Sequence, residues 1–484
     1  MSEQALLEKA HAYVEDVWND VERDIDALVR IESVEDLKHA GEGMPFGPGP
    51  REALTTALSI AERLGLEAHD MDGYIGYADL RGTSERYVAT IGHADIVPVG
   101  TGWHFDPLRV TCKDGYLLGR GVLDDKGPLV LSLYAAHFLA EEAKSSGRPL
   151  PYTLRCIVGT NEETGMRDVE HYLAEQPQPL FCFTPDACFP AICGEKGRAY
   201  VELVSAVEPE RDARLVSLSG GNASNAIVGS ATAVVVGVPE DYAGHADIEA
   251  EALPADSWGR SLVKLVATGK GGHAAMPEDA RSAVGILCEA LLQHDGWSSD
   301  ERAFLELQGL VFADAYGKAL GVDATDEVFD PLTCAGTVIS TVSEGGSRHF
   351  VQGLDIRYPP STTYEAIANR LADVAREHGC DAELRDTMVP FLTSPDSLEV
   401  QTLLSAYHDV YHKGGEAFTI GGGTYARHFE RAVAFGPLEA FEEQGPAWVG
   451  PEHGPDEGVA VETLQRALEV YIVALSRLME LDLG

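Results

Sequence analysis

The chain has 484 residues, enough at about 100 to 200 residues per domain for two to four domains, or for one large domain carrying an insertion. Its 45% hydrophobic and 24% charged residues are those of a folded globular protein and exclude disorder as the main state. Lys and Arg number 36 against 78 Asp and Glu, and the resulting net charge of −42 repels phosphate backbones and anionic headgroups, so neither nucleic acid nor a membrane surface is expected as a partner.

Residues 1–31 lack a basic export segment and space Leu6, Ala10, Tyr13, Val14, Val17, Val21, Ile25 and Leu28 like one helical face among acids. A second amphipathic stretch at 49–64 precedes strand-like runs at 67–80 and 87–91. A hairpin-like stretch at 107–119, a helix over about 126–143 and a strand at 152–158 follow. This is α/β patterning around a largely buried sheet. From about 198 the texture changes to short β-rich segments (200–205, 231–238, 261–268) mixed with helices near 277–292, 301–309 and 362–378. At about 385 helices and short apolar runs return, including 432–435 and a long C-terminal helix over about 457–480. The pattern fits a two-part protein in which residues 198–384, enough for two small α/β subdomains, interrupt a part formed by 1–197 and 385–484. No run approaches the roughly 18 apolar residues of a membrane helix. The eight cysteines contain no C-x-x-C pair, which points to a reduced, cytoplasmic protein and away from structural zinc.

The chemistry gathers where apolar strands end. Gly92-His93-Ala94-Asp95 closes the 87–91 run, and period two would place both polar side chains on one face, Asp95 holding the His93 imidazole in one tautomer while the other nitrogen binds a metal. Gly121-Val122-Leu123-Asp124-Asp125-Lys126-Gly127 leads into a helix. Alone, its acids would be read as ordinary N-terminal capping. Asn161-Glu162-Glu163-Thr164-Gly165 follows the 152–158 strand, and Phe183-Thr184-Pro185-Asp186 repeats the arrangement with one acid. In open α/β sheets ligands collect beyond the carboxyl ends of strands. Three strand-end acid sites and one strand-end histidine make poor coincidences, because each unpaired buried charge would cost several kcal/mol. A metal centre answers that objection.

In order and local sequence these motifs resemble the M20 metallopeptidase family, particularly its PepV-like dipeptidases. The likeness extends through Gly194-Glu195-Lys196-Gly197, Gly272-His273-Ala274-Ala275-Met276-Pro277, Asp355-Ile356-Arg357-Tyr358-Pro359, Gly421-Gly422-Gly423-Thr424 and Glu452-His453-Gly454-Pro455-Asp456-Glu457. The resemblance implies a zinc-exopeptidase-like α/β catalytic domain with a mostly parallel central sheet, interrupted by an α+β lid. It also implies two divalent ions, Zn²⁺ being favoured with Mn²⁺ and Co²⁺ as alternatives. Asp124 would bridge the two ions, with His93 and Asp186 completing one site and Glu163 and His453 the other. Glu162 would be the general base, Asp95 the partner of His93, and His273 the lid residue that stabilises the oxyanion. Arg357 and Asn225 would hold the substrate carboxylate, and backbone N–H groups at Gly422 and Gly423 would approach the substrate. A non-proline cis peptide at Asp124–Asp125 is implied as well. The expected activity is a monomeric dipeptidase acting on small peptides with free amino and carboxyl ends. Its rivals are an N-acyl-amino-acid deacylase of the same family and an inactive dipeptide-binding relative.

Overall fold

Nine strands make one sheet in the order Glu67–Met71, Ile75–Leu80, Tyr152–Gly159, Ser84–His93, Phe181–Thr184, Ala432–Ala434, Ile192–Glu195 and Phe391–Leu392, with Phe418–Ile420 pairing on Ile192–Glu195. The structure, a computed structural model, describes residues 2–440 and 445–483. The four strands from Tyr152–Gly159 to Ala432–Ala434 run parallel, and antiparallel strands flank them on both sides. Covered on both faces, these inner strands are apolar nearly throughout: Ser84–His93 is buried from Tyr87 onward and Tyr152–Gly159 from Thr153. The helices Glu3–Val29, Lys126–Ser146 and Val461–Leu478 pack against one another and share with the sheet a single core that includes Val21, Ile25, Leu129, Val158, Phe183 and Ile472. The expected hairpin forms as Thr111–Lys113 and Tyr116–Leu118, joined through Asp114 and Gly115, both at positive φ (48° and 84°) as a tight two-residue turn demands.

By contact, the chain divides into two units, the first made of residues 1–194, 392–418 and 423–484 and the second of 195–391 with 419–422. The second unit carries a separate sheet, also of nine strands, and all of its pairings are antiparallel. The helix Ala283–Leu292 packs on the strands Ser230–Val236 and Leu262–Thr268, and the helix Tyr364–Glu377 on Gly197–Val204 and Asp381–Met388. The whole is therefore an α/β protein with a mostly parallel central sheet in one unit and an antiparallel sheet in the other.

Several elements differ from the sequence expectation for local reasons. The helix expected from 277 begins at Ala283, because Arg281 pairs with Lys270 and Ser282 caps the Gly285 N–H. The C-terminal helix begins at Val461, because Gly458, Val459 and Ala460 first pair with Leu118, Leu117 and Tyr116. The longest hairpin, Thr333–Glu344 with Ser347–Tyr358, turns on Gly345 and Gly346, both at positive φ. That Gly-Gly pair between two β-rich runs is its sequence signal.

The charge of −42 has a thermodynamic consequence, since folding concentrates like charges on a smaller surface. Salt is expected to raise Tm by several degrees between about 0.01 M and about 1 M KCl, as the screening length falls from roughly 30 Å to roughly 3 Å. Calorimetry across that series checks it, and a Tm independent of salt would contradict it.

Candidate metal centre

His93 is the last residue of its strand, and the parallel register sets it beside Gly159 at the end of the neighbouring strand. Its Nε2 lies 2.9 Å from Asp124 Oδ1 and 3.6 Å from Asp186 Oδ2. On the other side of the ring, Nδ1 is 3.0 Å from the backbone oxygen of Asp95 and 3.5 Å from its carboxylate. The Asp95 carboxylate therefore lies on the Nδ1 side of the ring, away from Asp124. That carboxylate also accepts the backbone N–H groups of Glu162 and Glu163, 3.2 Å each, and so fixes the loop that carries both acids.

The adjacent acids Asp124 and Asp125, joined by a cis peptide, face opposite tasks. Asp124 turns one oxygen to each imidazole, Oδ1 to His93 and Oδ2 to His453 Nε2 at 2.8 Å. Asp125 accepts the His93 backbone N–H at 3.0 Å, and a Cβ on Gly92 would come within 2.5 Å of that carboxylate. Asp125 occupies the N-cap position of the helix Lys126–Ser146 but its side chain makes no capping bond, so capping does not account for the acid pair. Glu163 completes the second side: Oε2 is 3.3 Å from His453 Nε2, and Oε1 accepts the Val97 N–H at 3.2 Å. Among the described residues, two groups of donor atoms converge within 4.8 Å, His93 with Asp124 and Glu163, and His93 with Glu162 and Asp186.

The electrostatics show what such a cluster lacks. Burial pushes Glu162 well above its ordinary pKa, with Asp186, Glu163 and Asp124 adding to the shift against the pull of His93. Burial and then Asp124 push Asp186 up as well. Opposing this, the hydrogen bonds that His453 donates to Asp124 and Glu163 raise it to about 11, and burial of Asp124 is outweighed by its bonds to His453 and His93, which hold it below the usual carboxylate range. Four carboxylates thus draw on two imidazoles for positive charge. A donor set of histidine nitrogens and carboxylate oxygens at this spacing suits divalent cations such as Zn²⁺, Mn²⁺ or Co²⁺, which would take over that role.

The remaining residues singled out from the sequence lie in or beside the second unit. His273 pairs across a two-residue ladder with Ala226, and the Asn225 carbonyl accepts the Ala274 N–H at 2.8 Å. His273 Nδ1 accepts the Ala275 N–H at 3.1 Å, which leaves the proton of a neutral ring on Nε2. Desolvation and the Arg357 cation lower its pKa, favouring that neutral form. Arg357 is not a surface ion pair: only 8% exposed, it gives Nε to Asp355 Oδ1 at 2.5 Å, Nη2 to Asp355 Oδ2 at 3.2 Å and Nη1 to the Gly421 carbonyl at 3.0 Å. Within the glycine run, Gly421 is the position where a Cβ is excluded, since it would lie 2.9 Å from Ala275 Cβ. Gly422 meets nothing nearer than Ile420 Cδ1 at 3.5 Å. Gly423 is exposed and belongs to the first unit.

Residues 89–477 match the family described as Peptidase family M20/M25/M40. This chain belongs to peptidase family M20. Across 95% of its length the metallopeptidase is 32% identical to a Bacillus subtilis protein named "Putative dipeptidase YtjP", covering 97% of that relative. A Staphylococcus haemolyticus protein named "Putative dipeptidase SH1171" is 30% identical over 93% of this chain and 95% of its own. Among solved structures, human carnosine dipeptidase 1 shares the fold at a TM-score of 0.57 and 15% identity, over 98% of this chain and 100% of that one. The dipeptidase Dug1p of Saccharomyces cerevisiae does so at 0.58 and 12%, over 98% and 99%.

Two supports of the M20 centre escaped the sequence reading. Glu457, fully buried, accepts the N–H groups of Gly121, Leu123 and Asp124 at 2.9, 3.2 and 3.3 Å and pairs with Arg120, whose Nη2 also holds the His453 carbonyl at 3.1 Å. One ion pair therefore ties the Asp124 turn to the His453 loop. The available signal was a lone basic residue between Gly119 and Gly121 in an acidic motif. Asp168 likewise accepts the N–H groups of Thr160 and Asn161 and the Tyr425 hydroxyl. Glu457→Ala strands Arg120, which is 1% exposed, and is expected to cost about 3 to 5 kcal/mol in urea unfolding, with Glu457→Gln losing less. Equal stability of parent and Ala variant would contradict this.

Proposed function

We propose that this M20 peptidase is a two-metal dipeptidase cleaving small peptides that carry a free amino and a free carboxyl end. The observation that carries the reading is Asp124, whose two oxygens each face a different imidazole, the arrangement a carboxylate shared between two cations requires. In this assignment His93 and Asp186 complete one site and Glu163 and His453 the other, with Zn²⁺ favoured and Mn²⁺ or Co²⁺ able to serve. Two divalent ions held there would supply Lewis acidity at the scissile carbonyl and lower the pKa of water towards about 7. Glu162 takes the proton of the attacking water and returns it to the departing amine. Asp95 holds the backbone of the acid pair and braces His93.

The second unit supplies recognition and charge stabilisation in this reading. With its proton on Nε2, neutral His273 donates to the developing oxyanion. Among the described residues, three of the five Arg357 N–H groups are engaged by Asp355 and Gly421, which leaves two for a substrate carboxylate, with Asn225 and the backbone at Gly422 and Gly423 assisting. In this reading both residues serve the metal centre of their own chain, as a monomer requires. The names of the curated relatives support the substrate class.

Two measurements test this. Adding Zn²⁺ or Mn²⁺ to chelated protein is expected to raise Tm, by the equivalent of about 2.7 kcal/mol at a hundredfold excess over Kd, and to restore activity. A panel of dipeptides, including a β-alanyl one, assayed beside N-acetyl and N-succinyl analogues should show cleavage of the free peptides. Preference for the acylated substrates would make the protein a deacylase, and no turnover with any metal would make it a binding protein.

A further inference from the structure

Four successive backbone N–H groups under the Glu162 turn point at two buried carboxylates. Thr160 and Asn161 donate to Asp168 Oδ2 at 2.6 and 3.1 Å, and Glu162 and Glu163 donate to Asp95 at 3.2 Å each. Hydrogen bonds to an ionised acceptor are roughly twice as strong as neutral ones, so two carboxylates gripping consecutive amides leave the turn little freedom. The direction in which the Glu162 side chain leaves the backbone is set by that grip.

Asp168 is the second residue of the helix Arg167–Glu175, where an acid is ordinary, and its Oδ1 accepts the Val169 N–H of that helix at 2.8 Å. Its Oδ2 goes beyond what a helix end needs. Besides the two turn amides it accepts the hydroxyl of Tyr425, 257 residues away. Tyr425 is fully buried and opens the short helix Tyr425–His428. Its ring stands edge-on to the His93 imidazole, with centroids 6.4 Å apart and planes at 76°. A phenylalanine ring would pack there equally well, so packing does not explain the hydroxyl. Space is reserved for it: a Cβ on Gly159, the strand residue just before the turn, would lie 2.1 Å from Tyr425 Oη, although Gly159 has no positive φ that would call for glycine. One phenol therefore packs on His93 with its ring and, through Asp168, reaches the backbone that leads into Glu162.

We propose that Tyr425 and Asp168 are positioning residues for proton transfer: the Tyr425 hydroxyl fixes Asp168, and Asp168 fixes the turn so that the Glu162 carboxylate stays at the attacking water. The inference rests on the reading of Glu162 as general base. A displacement of about 1 Å can cost roughly 10²-fold in rate, so an anchor two residues from the base matters. Two measurements on the full-length protein test it. In chelated protein, hydrogen exchange at the Thr160 and Asn161 amides is expected to be roughly tenfold or more faster in Tyr425→Phe than in the parent, with exchange at residues 154–157 of the neighbouring strand unchanged. A general loss of stability would accelerate both groups alike. In metal-loaded protein, Tyr425→Phe is expected to keep the parent metal content, to hold KM within about twofold and to lose about tenfold or more in kcat. Added to Glu162→Gln, the same substitution is expected to change kcat by less than about twofold, because a side chain that cannot take the proton gains nothing from its placement. Asp168→Asn leaves one acceptor oxygen in place of two and should repeat each result, which keeps the test open should Tyr425→Phe fail to fold. Unchanged exchange at 160 and 161, a Tyr425→Phe kcat equal to that of the parent, or the same loss of kcat on top of Glu162→Gln would overturn the proposal. The two readings fail separately. Full activity in Glu162→Gln with faster exchange in Tyr425→Phe would overturn the general base, and the proton-transfer role with it, whereas an inactive Glu162→Gln with unchanged exchange would overturn the anchor alone.

Discussion

Glu162→Gln is expected to retain the parent metal content and to lose about 10²- to 10⁴-fold in kcat. Glutamine nearly matches the shape of glutamate but cannot accept a proton, so the variant separates proton transfer from metal binding. The separation matters because a Glu162 oxygen lies with His93 and Asp186 in one of the two converging donor groups, and could on geometry alone be a ligand. Its partner in the argument is Asp124→Ala, which removes the carboxylate shared by both imidazoles and should lose metal together with activity. Metal analysis and steady-state kinetics on the two variants decide the matter. A Glu162→Gln protein that has lost one ion per chain would make Glu162 a ligand and leave the general base to be sought elsewhere.

The parts of this centre legible in the sequence are those that end parallel strands. His93, Glu162, Glu163 and Asp186 follow apolar runs, and a parallel sheet brings the carboxyl ends of its strands together whatever the loops do, so their convergence follows from topology. What the sequence could not display is pairing between distant segments. Arg120 and Glu457 are 337 residues apart and Asp168 and Tyr425 are 257 apart, and no periodicity links such partners. The two-residue spacing of His93 and Asp95 set their side chains together, Oδ1 3.5 Å from Nδ1, but could not show that the same carboxylate also accepts the Glu162 and Glu163 N–H groups. Elements failed in the same way: the 458–460 strand read as helix because only its pairing with the 116–118 strand, far back in the chain, marks it as extended.

Arg357 carries the other large effect, and its surroundings determine how the effect must be measured. Asp355 binds Arg357 through two N–H groups and also receives Arg198 Nε at 2.9 Å. Removing Arg357 therefore leaves Asp355 with one guanidinium partner, and Arg357→Ala is expected to fold with a moderate loss of Tm. If the two open N–H groups of Arg357 receive a substrate carboxylate, the variant loses a desolvated, charge-assisted pair, worth about 2 to 5 kcal/mol, or roughly 30- to 5,000-fold in kcat/KM. The loss should fall on free dipeptides alone. A dipeptide amide offers no carboxylate, so the parent should cleave it poorly and the variant little worse. Arg357→Lys keeps the charge but not the planar fork, and should recover only part of the difference. A purely structural Arg357 would depress both substrates equally and in step with Tm. Cleavage of the amide as fast as the acid by the parent enzyme would remove Arg357 from substrate recognition altogether, and with it the reason for assigning a free carboxyl end to the substrate.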